Sequence, residues 1–296
     1  MSYLIIQDYY RLIQDVTLQQ VISGNYSLVS LMESAALSEI ISYLTAKYDT
    51  SVEFNDIQLF NPTANYKFND RVYLDAPAYN SGSTYALNSL CLYNGNIYLC
   101  KVAITIGEVF TSSKWTLLGA QYQLFYVTLP AGYTQFDLFA TYVIESKVFY
   151  KNHTYSALRP TLVYDHMTML QFENTNYVPY NNYFPDDTTN GSAYWHDEGA
   201  YTVSGAKITD STIFVPGDNR NQQLVNYMID ITIYHLYSRI PPQVIPQQRV
   251  DRYMLAIGWL KQAKDGKDIT PDLPKRQPPA GRRIRSGTNI KQINTY

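Results

Sequence analysis

Apolar side chains recur every three or four residues between positions 27 and 48. This spacing predicts one amphipathic helix, because residues three and four apart share a helix face. Ser27 or Asn25 is a suitable N-cap. A shorter helix is predicted over residues 17–22 and ended by Gly24. The expected buried stripe of the longer helix is Leu28, Leu31, Met32, Ala35, Ala36, Glu39, Ile40, Tyr43 and Leu44.

The helical period returns between residues 219 and 265. Asn219 or Asp218 could cap its first helix, and the pair Pro241-Pro242 interrupts the pattern. A second helix is predicted to begin near Pro246 and to end at Gly266. The apolar positions of the two helices are Leu224, Tyr227, Met228, Ile231, Tyr234, His235, Tyr237, Val250, Tyr253, Met254, Ile257, Trp259 and Leu260.

Residues 55–218 change to alternating apolar positions with frequent Gly, Asn and Pro, which is typical of short antiparallel strands and long loops. We therefore predict an α+β fold. Residues 1–54 and 219–270 would form one small helical domain, and residues 55–218 a β-rich insertion within it. Insertions are tolerated at exposed connections between helices.

Two segments of the insertion, about 83–119 and 140–203, share the spacing Tyr-x7-Tyr-x4-Tyr. The matching sets are Tyr85, Tyr93 and Tyr98, and then Tyr142, Tyr150 and Tyr155. Asn94-Gly95-Asn96 and Lys151-Asn152-His153 both suit a tight hairpin turn. A Trp follows each set, Trp115 and Trp195, at unequal distances. The pattern indicates two hairpin repeats, in one β domain or two.

Two cysteines lie in the first repeat. If Gly95 and Asn96 form its turn, Tyr93 faces Tyr98 and Cys91 faces Cys100 on the same face of adjacent strands. A disulfide is then conceivable, whereas assembly in a cytoplasm favours free thiols.

The composition limits the classes of partner that the chain is expected to bind. The net charge is -2 and only 16% of residues are charged, so no global field favours nucleic acid or an anionic membrane. The chain carries 29 tyrosines, a residue that covers large polar interfaces well, although a base-composition bias would give the same excess. No signal peptide, membrane-spanning run or metal-ligand spacing is expected.

The segment Leu92-Tyr93-Asn94-Gly95-Asn96-Ile97-Tyr98, followed by Trp115-Thr116-Leu117-Leu118-Gly119, resembles the small chitin-binding-type carbohydrate module. In that family exposed aromatic rings stack on sugars. The resemblance implies glycan or protein contact through Tyr93, Tyr98 and Trp115, and in the second repeat through Tyr150, Tyr155 and Trp195. Alternatively, these rings hold a small β module together as cross-strand aromatic pairs.

Two sets of short motifs lie in the helical ends of the chain. The first lies within residues 3–48 and is clearest at Ala36-Leu37-Ser38-Glu39-Ile40-Ile41-Ser42-Tyr43-Leu44 with Lys47-Tyr48. The second comprises Asp230-Ile231, residues 234–239, Arg249-Val250-Asp251-Arg252-Tyr253, residues 256–260 and residues 264–267. Together they resemble the tailed-phage head-to-tail connector family, in particular its Mu-like head-completion branch. The long insertion departs from the family, which has a short connection there. The low charge and the Tyr and Asn content also resemble those of crAss-like phages.

This resemblance implies a structural virion protein and not an enzyme. It would form a ring, usually dodecameric, between the portal and the tail, extend the DNA channel and offer a platform for tail assembly. It implies no cofactor, catalytic residue or membrane. Its partners would be other copies of itself, the portal protein and a neighbouring tail or ring protein, met in the virion neck after assembly in the host cytoplasm.

The C-terminal residues 271–296 are rich in Pro and basic side chains, and no acidic residue follows Asp272. They are predicted to form an extended tail that is either disordered or ordered by a partner. In a connector this tail would contact the portal or the next ring, and a passing contact of its arginines with DNA ranks lower. The contact residues expected are Arg282, Arg283, Arg285, Ile290, Ile293 and Tyr296.

The most enzyme-like cluster is Trp195-His196-Asp197-Glu198, where a His lies beside two carboxylates. Asp186-Asp187 could add oxygen ligands for a hard cation. No nucleophile elbow, phosphate loop or His-Glu-x-x-His motif accompanies them. A polar surface loop is the simpler interpretation, and a glycosidase remains a third hypothesis behind the connector and the carbohydrate-binding module.

Overall fold

The computed structural model describes residues 2–137, 140–160, 184–188, 191–239, 245–266 and 271–276. The fold is mixed α+β, with several small sheets. The helices are α1 Ile6–Tyr9, α2 Asp15–Ile22, α3 Ser27–Leu44, α4 Thr50–Glu53, α5 Gly191–Tyr194, α6 Gln222–Ser238 and α7 Gln247–Asp265. The strands are β1 Ile57–Leu59, β2 Asn65–Tyr66, β3 Arg71–Tyr73, β4 Leu90–Tyr93, β5 Asn96–Cys100, β6 Trp115–Ala120, β7 Leu124–Val127, β8 Thr134–Gln135, β9 Lys147–Tyr150, β10 His153–Ala157, β11 Trp195–Ala200, β12 Val203–Ser204 and β13 Phe214–Pro216.

One hydrophobic core joins the two ends of the chain. It contains buried side chains from Tyr3 to Tyr48 and from Leu224 to Leu273. Helix α3 packs against α6 and α7, which also pack against each other. Tyr227 meets Trp259 at a ring distance of 5.1 Å, and Tyr234 stacks on Tyr253 at 4.1 Å. The helices predicted from periodicity therefore form, and they share a single core.

The buried face of α3 differs from the predicted stripe. Leu31 is 58% exposed and Ala35 is also exposed, so both predictions are wrong. Glu33 is buried in their place, because its carboxylate accepts hydrogen bonds from the hydroxyl of Tyr9 at 2.6 Å and from the hydroxyl of Ser2. A satisfied carboxylate can occupy a buried position that an apolar-only pattern leaves out. The buried residues of α3 are Val29, Glu33, Ala36, Ile40 and Leu44.

The residues that cap the helices agree only in part with the predicted caps. The side chain of Asn25 accepts from the Ser27 amide at 3.1 Å, but neither Asn25 nor Ser27 is the N-cap of α3, which is Tyr26 and has no side-chain capping bond. Helix α6 is capped by Asn221, which accepts from two amides, and not by Asp218 or Asn219 as predicted. Those two side chains bind arginines instead. Gly266 ends α7 with φ at +65°, whereas the predicted break at Pro241-Pro242 lies outside the described residues.

By length and composition alone, α3 is long and apolar enough to cross a membrane. In the structure it packs against α6 and α7 through its buried side chains. A helix in a protein core can have the same length and apolar composition as a membrane-spanning helix.

The β region is built from three copies of one module. Module A contains β1, β3, β7 and β13, module B contains β4, β5 and β6, and module C contains β8, β9, β10 and β11. In each, a central antiparallel pair receives a third antiparallel strand on one side. On the other side, an upstream segment pairs with it in parallel: β1 in A, a bridge at Ala78 in B and β8 in C.

The three modules share hydrogen bonds at equivalent residues. A Tyr hydroxyl accepts a bond of 2.7 Å from an amide five residues earlier, in the pairs Asn61–Tyr66, Asn80–Tyr85 and Asp137–Tyr142. Three residues after each Tyr comes a residue in the left-handed region: Asn69 (φ +64°), Asn88 (φ +65°) and Glu145 (φ +67°). The amide of that residue bonds to the end of the second central strand, at Val127, Cys100 and Ala157.

The modules are nested in the chain. The two central strands of module A, β3 and β7, are joined by a long connection whose ends meet at Leu74 and Tyr122. There the Leu74 amide bonds to the Gln123 carbonyl and the Tyr122 amide bonds to the Leu74 carbonyl. Module B occupies that connection, and module C lies between β7 and β13. The equal Tyr spacing predicted modules B and C, whereas module A was not predicted. The sequence signal of a module is an aromatic residue followed directly by Asn or Asp. A Tyr comes five residues after that Asn or Asp, and an Asn or Glu comes three residues after the Tyr, as in Phe60-Asn61, Tyr66 and Asn69.

The hairpin register differs by one residue from the prediction. Asn94 and Gly95 form the turn, with φ at +49° and +76°, so Tyr93 pairs with Asn96 and Cys91 with Tyr98. Two consecutive positive φ angles are typical of a type I′ turn, which favours Asn-Gly. Direct pairing of Cys91 with Cys100 was therefore wrong. Both side chains lie on the same face, are fully buried and carry free thiols.

Modules B and C both pack on module A through the same side of their first central strand. Leu92 in B packs against the core of module A. Phe149 holds the equivalent position in C, and its ring lies 4.8 Å from Phe68 and 6.3 Å from Tyr201, which itself packs on the core of A. Module A is thus the central module of the β region, on which the other two pack.

Candidate functional site

The two tryptophans predicted as contact residues lie inside their modules. Trp115 is 3% exposed and Trp195 is 2% exposed. Trp115 meets Tyr85 at a ring distance of 5.2 Å and an angle of 76°, and Trp195 meets Tyr142 at 5.1 Å and 77°. This matching geometry makes each Trp the central ring of a module core. A sugar cannot stack on either ring in this conformation.

The tyrosines of the two hairpins are less enclosed. Tyr93 and Tyr98 are half-buried, and both contact Phe110, with Tyr93 stacked at 4.0 Å. Tyr155 is 5% exposed. Tyr150 is half-buried below the Lys151 ammonium, which lies 5.2 Å from its ring centroid. The coplanar, exposed set of Tyr93, Tyr98 and Trp115 that sugar binding requires is not formed.

The His-Asp-Glu cluster lies on the surface. His196, Asp197 and Glu198 are exposed on β11, which is an edge strand of its sheet. Asp197 bonds to the ring of His153 at 3.0 Å, and Glu198 accepts from the hydroxyl of Tyr133. Burial acts to raise the pKa of Asp197, but His153 and the Gly199 amide hold it below its usual range. Each carboxylate thus has its own surface partner, as expected of ordinary polar pairs.

A groove of about 890 Å³ runs between the helical domain, module A and module C. Its walls carry aromatic rings, three lysines, one arginine and four aspartates. Lys151 and Asp186 are paired at 2.5 Å, and Asp70 accepts a bond from the Lys67 amide at 2.7 Å. The charges of the groove are therefore balanced and partly satisfied within the chain. In the described part of the protein, no group of three or more His, Cys, Asp or Glu is placed to hold a metal ion.

A buried polar junction ties the β insertion to the helical domain. Arg71, at the entry to the insertion, donates to the Glu53 carbonyl at 2.5 Å and to the Asn219 side chain at 2.6 Å. The Glu53 carboxylate also accepts from the hydroxyl of Tyr3 at 2.6 Å and from the Asn221 amide at 2.9 Å. The junction thus bonds residues from before the insertion to residues from after it.

Arg220 is the centre of the second half of this junction. Its side chain is 0% exposed and forms a two-pronged bond to Asp8 at 2.7 and 3.1 Å. It also binds Asp218 at 2.7 Å and the Tyr3 carbonyl at 2.9 Å. Burial opposes its charge, but Asp218 and Asp8 together raise the pKa of Arg220 above its ordinary value.

Tyr3 lies between the two arginines, with each guanidinium carbon 5.7 Å from its ring centroid. Burial, followed by the charge of Glu53, raises the pKa of Tyr3 well above its ordinary value. Burial lowers the pKa of Arg71. Tyr3, Arg71 and Arg220 are at most 3% exposed, so these three residues fix the geometry of the junction and are not accessible to a substrate in this conformation. The junction was not predicted from the sequence, where Asp218 and Asn219 are interpreted as helix caps.

The start of the C-terminal tail is held against the end of α3. The Asp49 amide bonds to Pro274 at 2.7 Å, and the Arg276 amide bonds to Lys47 at 2.9 Å. Leu273 is buried in the helical core. The tail residues predicted to contact a partner, from Arg282 to Tyr296, lie outside the described residues.

Compared with known proteins, the chain matches no protein-family model and no curated protein.

Proposed function

We propose that this protein is a structural subunit of a tailed-phage particle that forms a ring between the portal and the tail. The ring would extend the DNA channel and serve as a platform for tail assembly. The proposal includes a homo-oligomeric ring, contact with the portal and a neighbouring tail or ring protein, and no catalytic step.

One contact carries the proposal. The two segments that resemble the connector family lie far apart in the chain, yet their motif residues bond to each other. Glu39 of the first segment accepts from the hydroxyl of Tyr253 at 2.9 Å and lies 3.2 Å from the ring of His235, both in the second segment. These contacts support the proposal, because they bring the two segments together in one helical core.

The arrangement of the rest of the chain supports the same function. The insertion leaves and re-enters the helical domain at one junction, bonded by Arg71 and Arg220. A rigid junction lets a large β region project from a ring without disturbing the helical core. The tail begins beside Lys47, on the helical domain, from which it can reach an adjacent protein.

The alternative function, a carbohydrate-binding virion module, has weaker support. It requires exposed aromatic rings, whereas Trp115 and Trp195 are buried in module cores. Among the described aromatic residues, Tyr93 and Phe110 form one half-buried stacked pair that a sugar could still approach.

The test is the mass of the purified full chain in solution, alone and mixed with the portal protein of the same phage. A large closed oligomer, formed alone or on the portal, is expected. A stable monomer that ignores the portal would refute the ring, and glycan binding by the full chain would then be measured next. As a control for specificity, the same mixture is made with an unrelated portal protein.

A further inference from the structure

The groove between the helical domain, module A and module C has an excess of carboxylates when the tail residues are left out of the count. Two of its four cations, Lys275 and Arg276, belong to the start of the tail. The other walls carry two lysines and four aspartates. One of these lysines, Lys151, is already paired with Asp186 at 2.5 Å. These walls therefore attract a basic segment.

Two of the four carboxylates have no cation of their own. Asp49 accepts from the Ser51 amide at 3.1 Å and from the Ser51 hydroxyl at 2.6 Å. Asp70 accepts from the Lys67 amide at 2.7 Å. Among the described residues, neither carboxylate forms an ion pair. Burial raises the pKa of Asp70, against the effect of Lys67. A cation in the groove would stabilise the charged form of both carboxylates.

The same walls present aromatic surface. The rings of Phe68 and Tyr150 line the groove and are half-buried, so part of each ring stays accessible. Pro-rich segments bind well in aromatic-lined grooves, because they are already extended before binding and lose little conformational entropy. The groove thus combines two features, aromatic rings and carboxylates, that suit a segment rich in proline and arginine.

The tail has that composition and starts at the groove. The Arg276 amide bonds to the Lys47 carbonyl at 2.9 Å, and Arg276 itself lines the groove. The next residues, 277–285, are Gln-Pro-Pro-Ala-Gly-Arg-Arg-Ile-Arg, with no acidic side chain. An extended segment of this length spans about 28 Å, at about 3.1 Å per residue. Its prolines and arginines are therefore within reach of the groove.

We infer that residues 277–285 bind in the groove of their own subunit, with prolines against the aromatic walls and arginines paired with Asp49 and Asp70. The chain's own tail is the occupant because the residue before it, Arg276, already lies in the groove wall. This attachment gives the segment a much higher local concentration than the tail of another copy. The inference goes beyond the proposed function, and it gives the tail a site in the free subunit from which a portal or ring protein would displace it.

The test is trypsin digestion of the full-length native protein, followed by mass spectrometry. Arg283 and Arg285 are cleavage sites within the bound segment, and Lys291 is a site beyond it. A free peptide of residues 277–296 gives the intrinsic cleavage rate at each site. Cleavage after Arg283 and Arg285 is expected to be at least tenfold slower in the protein than in the peptide, and cleavage after Lys291 less than threefold slower.

The variant Asp49→Asn/Asp70→Asn removes two charges from the groove and keeps their hydrogen bonds, because the amide oxygen of Asn accepts from the same groups. Asp210→Asn is the matched control. Asp210 accepts from the Thr212 amide at 3.0 Å and its hydroxyl at 2.6 Å, as Asp49 does from Ser51, but it does not line the groove. The double variant is expected to lose at least fivefold of the protection, and the control less than twofold. Circular dichroism checks the fold.

The outcomes separate the inference from the proposed function. Cleavage of the wild-type tail at the peptide rate would overturn the inference, and so would protection that the double variant keeps. Protection that disappears on dilution would place the segment on another copy and would also overturn it. Protection that appears only with the portal protein would assign the segment to the portal contact and overturn it as well. The mass measurement decides the proposed function separately, because protection in the free subunit requires no ring.

Discussion

Replacing Arg220 with Met should strongly destabilise the helical core. Arg220 is fully buried and is the close partner of the Asp8 carboxylate, which is itself 1% exposed. Without it, Asp8 keeps the Ile5 amide at 2.9 Å and the distant Arg11 guanidinium at 3.5 Å. Removing one member of a buried ion pair costs about 3–5 kcal/mol, because the other charge stays in a low-dielectric site.

Arg11 provides the matched control. It approaches the same carboxylate, but its side chain is 44% exposed. Solvent screens such a pair, so Arg11→Met should lower the free energy of unfolding by about 1 kcal/mol or less. Adding Asp8→Asn to Arg220→Met should recover part of the loss, because the uncompensated charge is then removed.

The assay is urea unfolding followed by tryptophan fluorescence, with Trp259 reporting from the helical core. All variants are compared at one protein concentration, because oligomer formation makes the apparent stability depend on concentration. If Arg220→Met and Arg11→Met lower the free energy of unfolding equally, within about 1 kcal/mol, the argument from burial is refuted.

Three further predictions concern single side chains. Burial raises the pKa of Glu33 above 4.5, against the hydrogen bonds from Ser2 and Tyr9, so the folded protein binds the extra proton and loses stability as pH rises through that pKa. In unfolding curves, Glu33→Gln should therefore gain stability relative to the wild type as the pH rises above 4.5. A difference that stays constant as the pH rises would contradict this. Burial raises the pKa of Cys91 to about 11, and Cys100 is equally buried. A thiol reagent should therefore label neither cysteine in the native protein and both in urea. Rapid labelling of the native protein would contradict this prediction. Gly95→Ala should cost about 1 kcal/mol because φ is +76°, whereas Gly258→Ala, in the middle of α7 with open space around its Cβ position, should stabilise by about 0.5–1 kcal/mol; equal effects in thermal melts would show that backbone conformation does not decide them.

Local patterns were enough to predict the long helices and the C-terminal ends of two of the helices. The apolar period of α3 and α7 is strong, and Gly24 and Gly266 mark helix ends by conformations that other residues adopt at a cost. The change to alternating positions after residue 55 predicted strands, and the equal spacing of tyrosines predicted two hairpins. These features depend on residues that are close together in the chain, so they can be predicted from the sequence without the structure.

The nesting of the modules depended on distant contacts. Strand β7 pairs with β3 and β13, which lie on either side of modules B and C in the chain. A repeat interrupted twice has no continuous spacing from its first strand to its last. For that reason the sequence predicted two repeats, whereas the tertiary structure has three.

The sequence by itself determined the α+β composition, the long helices and the two segments in which hairpins turn, because each follows from local conformational preference and from the period of apolar positions. Only the tertiary structure decided that Glu33, Arg71 and Arg220 are buried. Their burial depends on partners up to 217 residues away, since Arg220 bonds to the Tyr3 carbonyl. It likewise decided that Trp115 packs inside a module while Leu87 faces solvent, because exposure is set by what the folded chain brings against each side chain.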